Sequence, residues 1–259
     1  MPRYFIQLAY NGTNFHGWQV QDNTPLTVQH VLQEKMSMII GHPIEVVGCG
    51  RTDAGVHAKD YYAHFDSEKT DLHTDKNYVY KLNKVLPFEI AIKKIYSVKD
   101  EASARFDAVS RNYDYLIHRS KSPFLFNSSL YVFGDIDFKA MNDAAAYLLT
   151  VEDFTSFSKV NTQTFTNNCT ITFAQWIKHN EEEYVFKISA NRFLRNMVRA
   201  IVGTLLEVGK GKLTIEEFKT IVNNKNRSDA GMSAPGHALY LTDIQYPETI
   251  FNVEHCAKK

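Results

Sequence analysis

Residues 3–10, RYFIQLAY, begin the succession of elements that decides the fold. Apolar and polar side chains alternate along them, which predicts a β-strand with one buried face. The segment 24–41 then predicts a helix, because apolar residues recur at near-helical spacing and Gly41 ends the pattern. A second strand is predicted at residues 44–49, so the chain begins with a strand, a helix and a strand.

The rest of the first half completes a β-α-β-β-α-β order. A strand is predicted at residues 61–65 and a helix at 75–85, which Pro87 stops. The β-branched content of residues 90–98 favours a further strand.

The second half of the chain repeats this order. Its strands are predicted at 112–117, 170–177, 184–189 and 239–246. Its helices are predicted at 137–149 and 192–208, with a small additional helix at 214–223.

Two successive β-α-β-β-α-β patterns predict an α+β fold of two ferredoxin-like halves related by pseudo-twofold duplication. We expect an N-terminal half at residues 1–104, which carries the Asp53 loop described below, and a C-terminal half at 105–259, which carries a basic helix. No Gly/Ser-rich linker separates them, so we expect the halves to dock around a central cleft in which a ligand would bind.

The composition is that of a folded protein without bulk positive charge. Hydrophobic residues make up 44% and charged residues 22%, and the formal net charge is +0. These values argue against disorder and against a chain that coats nucleic acid, so any RNA site must be a local patch. No run approaches the roughly 20 apolar residues of a membrane span. The N-terminus has no signal-peptide layout, and we expect a cytoplasmic location.

The cysteines and histidines do not predict a metal site or a disulfide framework. Cys49, Cys169 and Cys256 are widely spaced without a CxxC motif, and the 10 histidines are scattered singly. We therefore expect no metal.

The segment Gly48–Ala58, GCGRTDAGVHA, is the strongest candidate for a functional loop. Its glycines permit backbone conformations closed to other residues, and a small alanine beside Asp53 leaves space at the carboxylate. The alternative is an ordinary turn in which the aspartate bonds its own backbone. Cys49 is expected to be a packing residue, and His57 is more often structural than an acid or base at such a position.

Three arginines would share one face of a helix over residues 192–208. Arg192, Arg195 and Arg199 lie on that face, opposite an apolar face made of Leu194, Met197, Val198, Ile201 and Leu205. A solvated charged face is the ordinary interpretation. The absence of interleaved acids favours a second one, in which Arg199 or Arg51 pairs with Asp53 and the other arginines contact RNA phosphates.

Tyr113 and Tyr115 share a face of the strand that opens the second half. Aromatic residues on strand faces are usually core residues, but an accessible one can stack on a base.

Taken in order, GRTDAGVHA, SARFDAVSRNYDYLI, DFTSF, NRFLRNMVRAIVGTLLEVG and LYL closely resemble the bacterial tRNA pseudouridine synthase A family. The resemblance covers nearly the whole chain. It implies that Asp53 is the catalytic aspartate, with Arg51 beside it, Tyr113 against the target uracil, and Arg199 where it would form a salt bridge to the aspartate.

The resemblance also implies a homodimer that binds the anticodon arm of tRNA and isomerises uridines at tRNA positions 38, 39 and 40 without cofactor or metal. Two departures concern peripheral features. The run after DFTSF has no arginine before Trp176, where many relatives have one, and Ala238 replaces a usual glycine. These departures put RNA contacts and loop geometry in question, but not the chemistry.

Two other classes of protein remain as alternatives. A non-catalytic RNA-binding module would explain the arginines but not the Asp53 loop. A carboxylate-dependent hydrolase would need a second acidic partner or a metal cluster, and the sequence shows neither.

Overall fold

The computed structural model describes residues 1–159 and 165–252. They form two compact units, one made of the described residues of 1–109 and 241–252, and the other of those of 110–240. The division into domains at 1–104 and 105–259 stays a prediction.

The first unit contains a sheet and two helices in the expected order. Its elements are β1 (Arg3–Tyr10), α1 (Val28–Ile40), β2 (Val47–Gly48), β3 (His57–Asp66), α2 (Lys76–Val85) and β4 (Ile90–Ser97). Strand β1 lies between β4 and β3 and is antiparallel to both, and β2 pairs antiparallel with β3. Each element predicted from the sequence in this unit is present.

Helix α1 shows why these residues form their elements. The Thr27 hydroxyl accepts a hydrogen bond from the His30 amide and so caps the first turn, and Gly41 ends the helix in the left-handed region. The face toward the core is made of Val28, Gln29, Leu32, Met36 and Ile40. Large rings fill the core of this unit, with Tyr4, Phe5, Trp18, Tyr61 and Phe65 all less than 2% exposed.

The second unit repeats this arrangement. Its elements are β5 (Ser110–His118), β6 (Leu130–Tyr131), α3 (Phe138–Tyr147), β7 (Ile171–Lys178), β8 (Glu183–Ala190), α4 (Met197–Gly209) and α5 (Ile215–Asn223). Strand β8 lies between β5 and β7 and is antiparallel to both, whereas the short β6 is parallel to β5. The last strand, β9 (Leu239–Gln245), begins in this unit and ends in the first.

The α+β class with twice-repeated β-α-β-β-α-β order is therefore confirmed. Helices pack with mostly antiparallel strands in both units. Residues 1–159 and 165–252 contain no helix with the length and apolar content needed to cross a bilayer.

The predicted start of the long helix at residue 192 is wrong, because α4 begins at Met197. Asn196 has a left-handed backbone with φ +67°, which a right-handed helix cannot include. The Arg195 carbonyl accepts a hydrogen bond from the Lys159 amide at 3.1 Å, a contact with a distant part of the chain. Arg192 and Arg195 therefore do not lie on a helix, and the basic helical face reduces to Arg199.

Helix α4 is held against the segment 230–235 by a glycine. A Cβ atom on Gly203 would lie 1.8 Å from the Met232 carbonyl oxygen, so only glycine permits this approach. The Thr204 hydroxyl accepts a hydrogen bond from the Gly231 amide at 3.0 Å and donates to the Ala200 carbonyl at 2.8 Å. These contacts fix the segment 230–235, which includes the Ala234 carbonyl that binds the Arg199 side chain.

We predict that Gly203→Ala destabilises the protein. Alanine in an open helix is favoured over glycine by about 0.5–1 kcal/mol, but here the added carbon must displace backbone. We expect the free energy of unfolding to fall by about 1–3 kcal/mol, as for overpacked sites, when measured by urea denaturation.

The matched control is Gly50→Ala, where an added carbon meets nothing within 4 Å. This variant should change the free energy of unfolding by less than about 0.5 kcal/mol. A Gly203→Ala variant as stable as the wild type would contradict the packing argument.

Candidate active site

Asp53 opens a tight backbone turn at the end of the Gly48–Ala58 loop. The Val56 amide donates to the Asp53 carbonyl at 3.1 Å. Gly55, at the third position of the turn, has φ +77°, and this combination is typical of a type II turn. The Asp53 side chain is half-buried, and the neighbouring Arg51 and Ala54 are exposed. The turn thus presents a carboxylate at the surface of the first unit.

The loop at residues 11–18 supports this turn through backbone contacts. The Trp18 amide donates to the Thr52 carbonyl at 3.2 Å, and the Gly55 amide donates to the Phe15 carbonyl at 3.3 Å. The Thr52 hydroxyl is hydrogen-bonded to the Tyr10 hydroxyl at 2.9 Å. The residues on both sides of Asp53 are therefore fixed by hydrogen bonds.

Two glycines make this close approach possible. A Cβ atom on Gly12 would lie 2.0 Å from the Val56 carbonyl oxygen, and one on Gly17 would lie 2.6 Å from the Thr52 carbonyl oxygen. Gly17 also has φ +92°, in the region that favours glycine. Two glycines among aromatic residues at positions 11–18 are the sequence signal of this close backbone packing.

His57 has a structural place next to this turn. It is 3% exposed, and its Nδ1 atom accepts a hydrogen bond from the Gly12 amide at 3.1 Å. Because Nδ1 accepts, the ring carries its proton on Nε2 when neutral. Cys49 is 1% exposed, as expected of a packing residue. The side chains of His57 and Cys49 are therefore buried, whereas Asp53 is only half-buried.

In the second unit, the two tyrosines of β5 have different environments. Tyr113 is half-buried, and its ring meets Phe193 edge-on at a centroid distance of 5.1 Å. Tyr115 is fully buried, and its hydroxyl donates to the Pro235 carbonyl at 3.0 Å. Burial raises the pKa of Tyr115, and the positive charge of Arg199 opposes that rise. Of the two, Tyr113 is the accessible ring.

Arg199 is the one arginine of the three that lies on α4, and its side chain is anchored. Its Nε atom donates to the Ala234 carbonyl at 2.7 Å, and its own carbonyl accepts from the Ala234 amide at 2.9 Å. Both contacts fix the direction of the guanidinium group. The half-buried side chain lies close enough to Tyr115 to influence its pKa.

Arg192 and Arg195 lie in the segment that precedes α4. Arg195 is exposed and Arg192 is half-buried. Burial raises the pKa of Cys169 to about 11, and the charge of Arg192 opposes that rise, so the guanidinium lies near this thiol. The structure therefore places Tyr113, Arg192, Arg195 and Arg199 in the second unit, and Asp53 and Arg51 in the first.

Two positions differ from the pattern of the family that the sequence resembles: Ala238 and the run after DFTSF. Ala238 is fully buried in the short 3₁₀ turn Gly236–Ala238, which leads into β9. The run after DFTSF includes residues 160–164, which lie outside the described residues. Among residues 1–159 and 165–252, no three His, Cys, Asp or Glu side chains come together to hold a metal ion.

The known proteins whose sequences are similar to this chain are tRNA pseudouridine synthases. Residues 144–247 match the family model described as tRNA pseudouridine synthase. The tRNA pseudouridine synthase A of Bacteroides thetaiotaomicron is 50% identical, over 98% of this chain and 94% of its own. The same-named protein of Parabacteroides distasonis is 51% identical, over 98% of this chain and 100% of its own. The protein of that name from Anoxybacillus flavithermus is 40% identical, over 95% of this chain and 99% of its own.

A solved structure of an H/ACA ribonucleoprotein bound to a substrate RNA containing 2'-deoxyuridine is also similar, with a TM-score of 0.38 and 9% identity. The match covers 96% of this chain and 49% of that one.

We predict that His57 stabilises the support of the Asp53 turn. His57→Ala would leave the Gly12 amide without its acceptor in a buried place, at a cost of about 1–3 kcal/mol in the free energy of unfolding. His57→Asn supplies an amide oxygen near the position of Nδ1 and should lose less. Urea denaturation of both variants checks this, and equal losses would contradict a role for the hydrogen bond.

Proposed function

We propose that this chain, which belongs to the tRNA pseudouridine synthase A family, converts uridine to pseudouridine in the anticodon stem-loop of tRNA with Asp53 as its catalytic carboxylate. Membership of the family makes the chain a pseudouridine synthase, an isomerase that acts on tRNA uridine. The observation that carries the assignment of Asp53 is its place in a rigid glycine turn that leaves the carboxylate partly accessible.

The reaction needs a carboxylate but no co-reactant. The glycosidic bond from N1 of uracil to C1′ of the ribose breaks, the detached uracil rotates, and a bond from C5 to C1′ forms. The proton on C5 then leaves and a proton is gained at N1, so atoms and electrons balance within the substrate. This balance fits the expectation that the protein uses neither cofactor nor metal.

Three roles fit the carboxylate of Asp53 in this sequence of steps. It can attack C1′, add to C6 of the uracil, or remove the C2′ proton of the ribose. Each uses the carboxylate as an anion, and a neighbouring guanidinium pairs with an anion through charge and hydrogen bonds. Arg51, two residues before Asp53, and Arg199, with its Nε fixed by Ala234, are the guanidinium groups that we propose for this purpose. The pairing of Asp53 with Arg199 stays a prediction.

Tyr113 is proposed to hold the target base. A uridine must leave its stack before a protein can act on its glycosidic bond, which costs a few kcal/mol. Stacking on an accessible aromatic ring offsets part of that cost. The edge-on contact with Phe193 holds the Tyr113 ring in one orientation, which supports this role.

The remaining proposals concern RNA binding and assembly. We propose that Arg192 and Arg195 contact phosphates of the anticodon arm, that the protein acts as a homodimer, and that it acts in the cytoplasm. Arg192 and Arg195 do not lie on a helix, but this does not weaken their proposed phosphate contacts. Such contacts require charge and reach rather than a helix.

We predict that Asp53→Asn abolishes turnover and leaves tRNA binding within about threefold of the wild type, since asparagine matches the size but not the charge of aspartate. The assay uses an unmodified tRNA transcript with tritium at uridine C5, incubated with pure protein and chelator. Tritium released to water measures the loss of the C5 proton.

The control is Asp22→Asn, which changes an exposed carboxylate that is not part of the turn and should release label at the wild-type rate. Wild-type activity in Asp53→Asn would refute the assignment. Tight tRNA binding by the wild type without any release of label would instead favour a non-catalytic RNA-binding protein.

We also predict that Arg195→Ala weakens tRNA binding at every salt concentration and lowers the slope of log affinity against log salt by about 0.7–0.9, the value for one phosphate contact. Filter binding across a salt series measures both quantities. An unchanged slope would remove Arg195 from the phosphate contacts.

A further inference from the structure

The turn at residues 103–107, SARFD, is held by many hydrogen bonds although it forms no part of the proposed site. The Ser103 amide donates to Oδ2 of Asp107 at 2.7 Å, and the Asp107 amide donates to the Ser103 carbonyl at 3.1 Å. The Phe106 amide donates to the Ser103 hydroxyl at 3.3 Å. These bonds fix the internal geometry of the turn.

Two further bonds attach this turn to the first unit. The Ala104 amide donates to Nδ1 of His64 at 3.1 Å, and the Tyr246 hydroxyl donates to the Ala104 carbonyl at 2.5 Å. Ala104 is fully buried. The turn is therefore anchored at its centre to strand β3 and to the segment after β9.

The next two side chains of this anchored turn point outward. The Phe106 ring is 79% exposed, and Arg105 is also exposed. The Arg105 guanidinium lies over the Phe106 ring, 5.2 Å from its centroid. One face of the ring thus meets Arg105 while most of the ring stays exposed, and a partner that covers it would not have to order the turn first.

We propose that Arg105 and Phe106 form a contact for one unpaired nucleotide of the RNA substrate, with the Phe106 ring stacked on the base and the Arg105 guanidinium on its phosphate. This inference rests on the proposed function for the identity of the RNA. It adds a contact that lies on the turn 103–107, outside the Asp53 loop.

The chemistry of this pair favours RNA over a protein partner. An aromatic ring beside a guanidinium is the combination that binds single-stranded nucleic acid, where bases stack and phosphates pair. A stable protein interface buries about 800 Å² on each partner around an apolar centre. Phe106 is instead flanked by charge, with Arg105 next to it and Asp100 and Glu101 exposed nearby in the chain. Those acids would repel a continuous phosphate track, so the contact is limited to one nucleotide.

The test compares tRNA affinities of variants that differ only at the exposed ring. Phe106→Ala is expected to weaken binding of unmodified tRNA about 5- to 100-fold, the range for losing one base–aromatic stack. Phe106→Tyr keeps the stacking face and should bind within about twofold of the wild type. The matched control is Phe88→Ala, which removes a fully exposed ring elsewhere in the first unit and should leave affinity unchanged.

A salt series separates the two side chains of the pair. Phe106→Ala should lower affinity without changing the slope of log affinity against log salt, because stacking releases no counterion. Arg105→Gln should lower that slope by about 0.7, the single-strand value for one phosphate. Unchanged affinity in Phe106→Ala, or an equal loss in Phe88→Ala, would overturn the proposal.

Two further measurements keep this proposal distinct from that for Asp53. With enzyme in excess and tRNA saturated, Phe106→Ala should still release tritium, whereas Asp53→Asn releases none. Sedimentation of Phe106→Ala in the absence of RNA should match the wild type. A changed oligomeric state with unchanged RNA affinity would assign the ring to a protein interface and overturn the proposal. The binding comparison remains decisive even if the wild type releases no label.

Discussion

The backbone contact between the loop at 11–18 and the Asp53 turn is the constraint on which the candidate active site depends. The Trp18 amide and the Phe15 carbonyl bond the residues on both sides of Asp53, and Gly17 makes the approach sterically possible. Because backbone groups supply this support, the Asp53 side chain does not have to hold its own loop in place. The backbone that carries this carboxylate is thus fixed while the side chain stays partly accessible, which is what a preorganised site requires.

Much of this architecture is visible in the sequence, because local rules and burial agree in the first unit. Alternation in residues 3–10 predicts β1, and near-helical spacing with a terminal Gly41 predicts α1. The helix begins at Val28, a few residues later than the pattern suggests, because the Thr27 hydroxyl caps it. Asp53 could also be located from sequence, since glycines around one carboxylate are a local signal.

The parts that could not be predicted depend on contacts between residues distant in the chain. Apolar spacing continues back through Leu194, so periodicity predicts a helix that begins at residue 192. In the structure, however, Asn196 has a left-handed backbone, and the Lys159 amide donates a hydrogen bond to the Arg195 carbonyl. The anchoring of Arg199 by Ala234 is likewise invisible in the sequence, because it follows from Gly203 lying against Met232. Helical periodicity therefore places Arg199 correctly on α4, but it wrongly includes Arg192 and Arg195 in the same helix.

Asp53, Arg199 and Phe106 have one property in common, which is that each lies in a segment whose backbone is held by hydrogen bonds. This property suits a reaction in which the base is detached from its sugar and must be held while it rotates. A flexible group would have to be ordered for each substrate, at a cost of about 0.5–1.5 kcal/mol per immobilised side chain. Fixed groups avoid that cost, so more of the RNA-binding energy remains available to draw a uridine out of its stack.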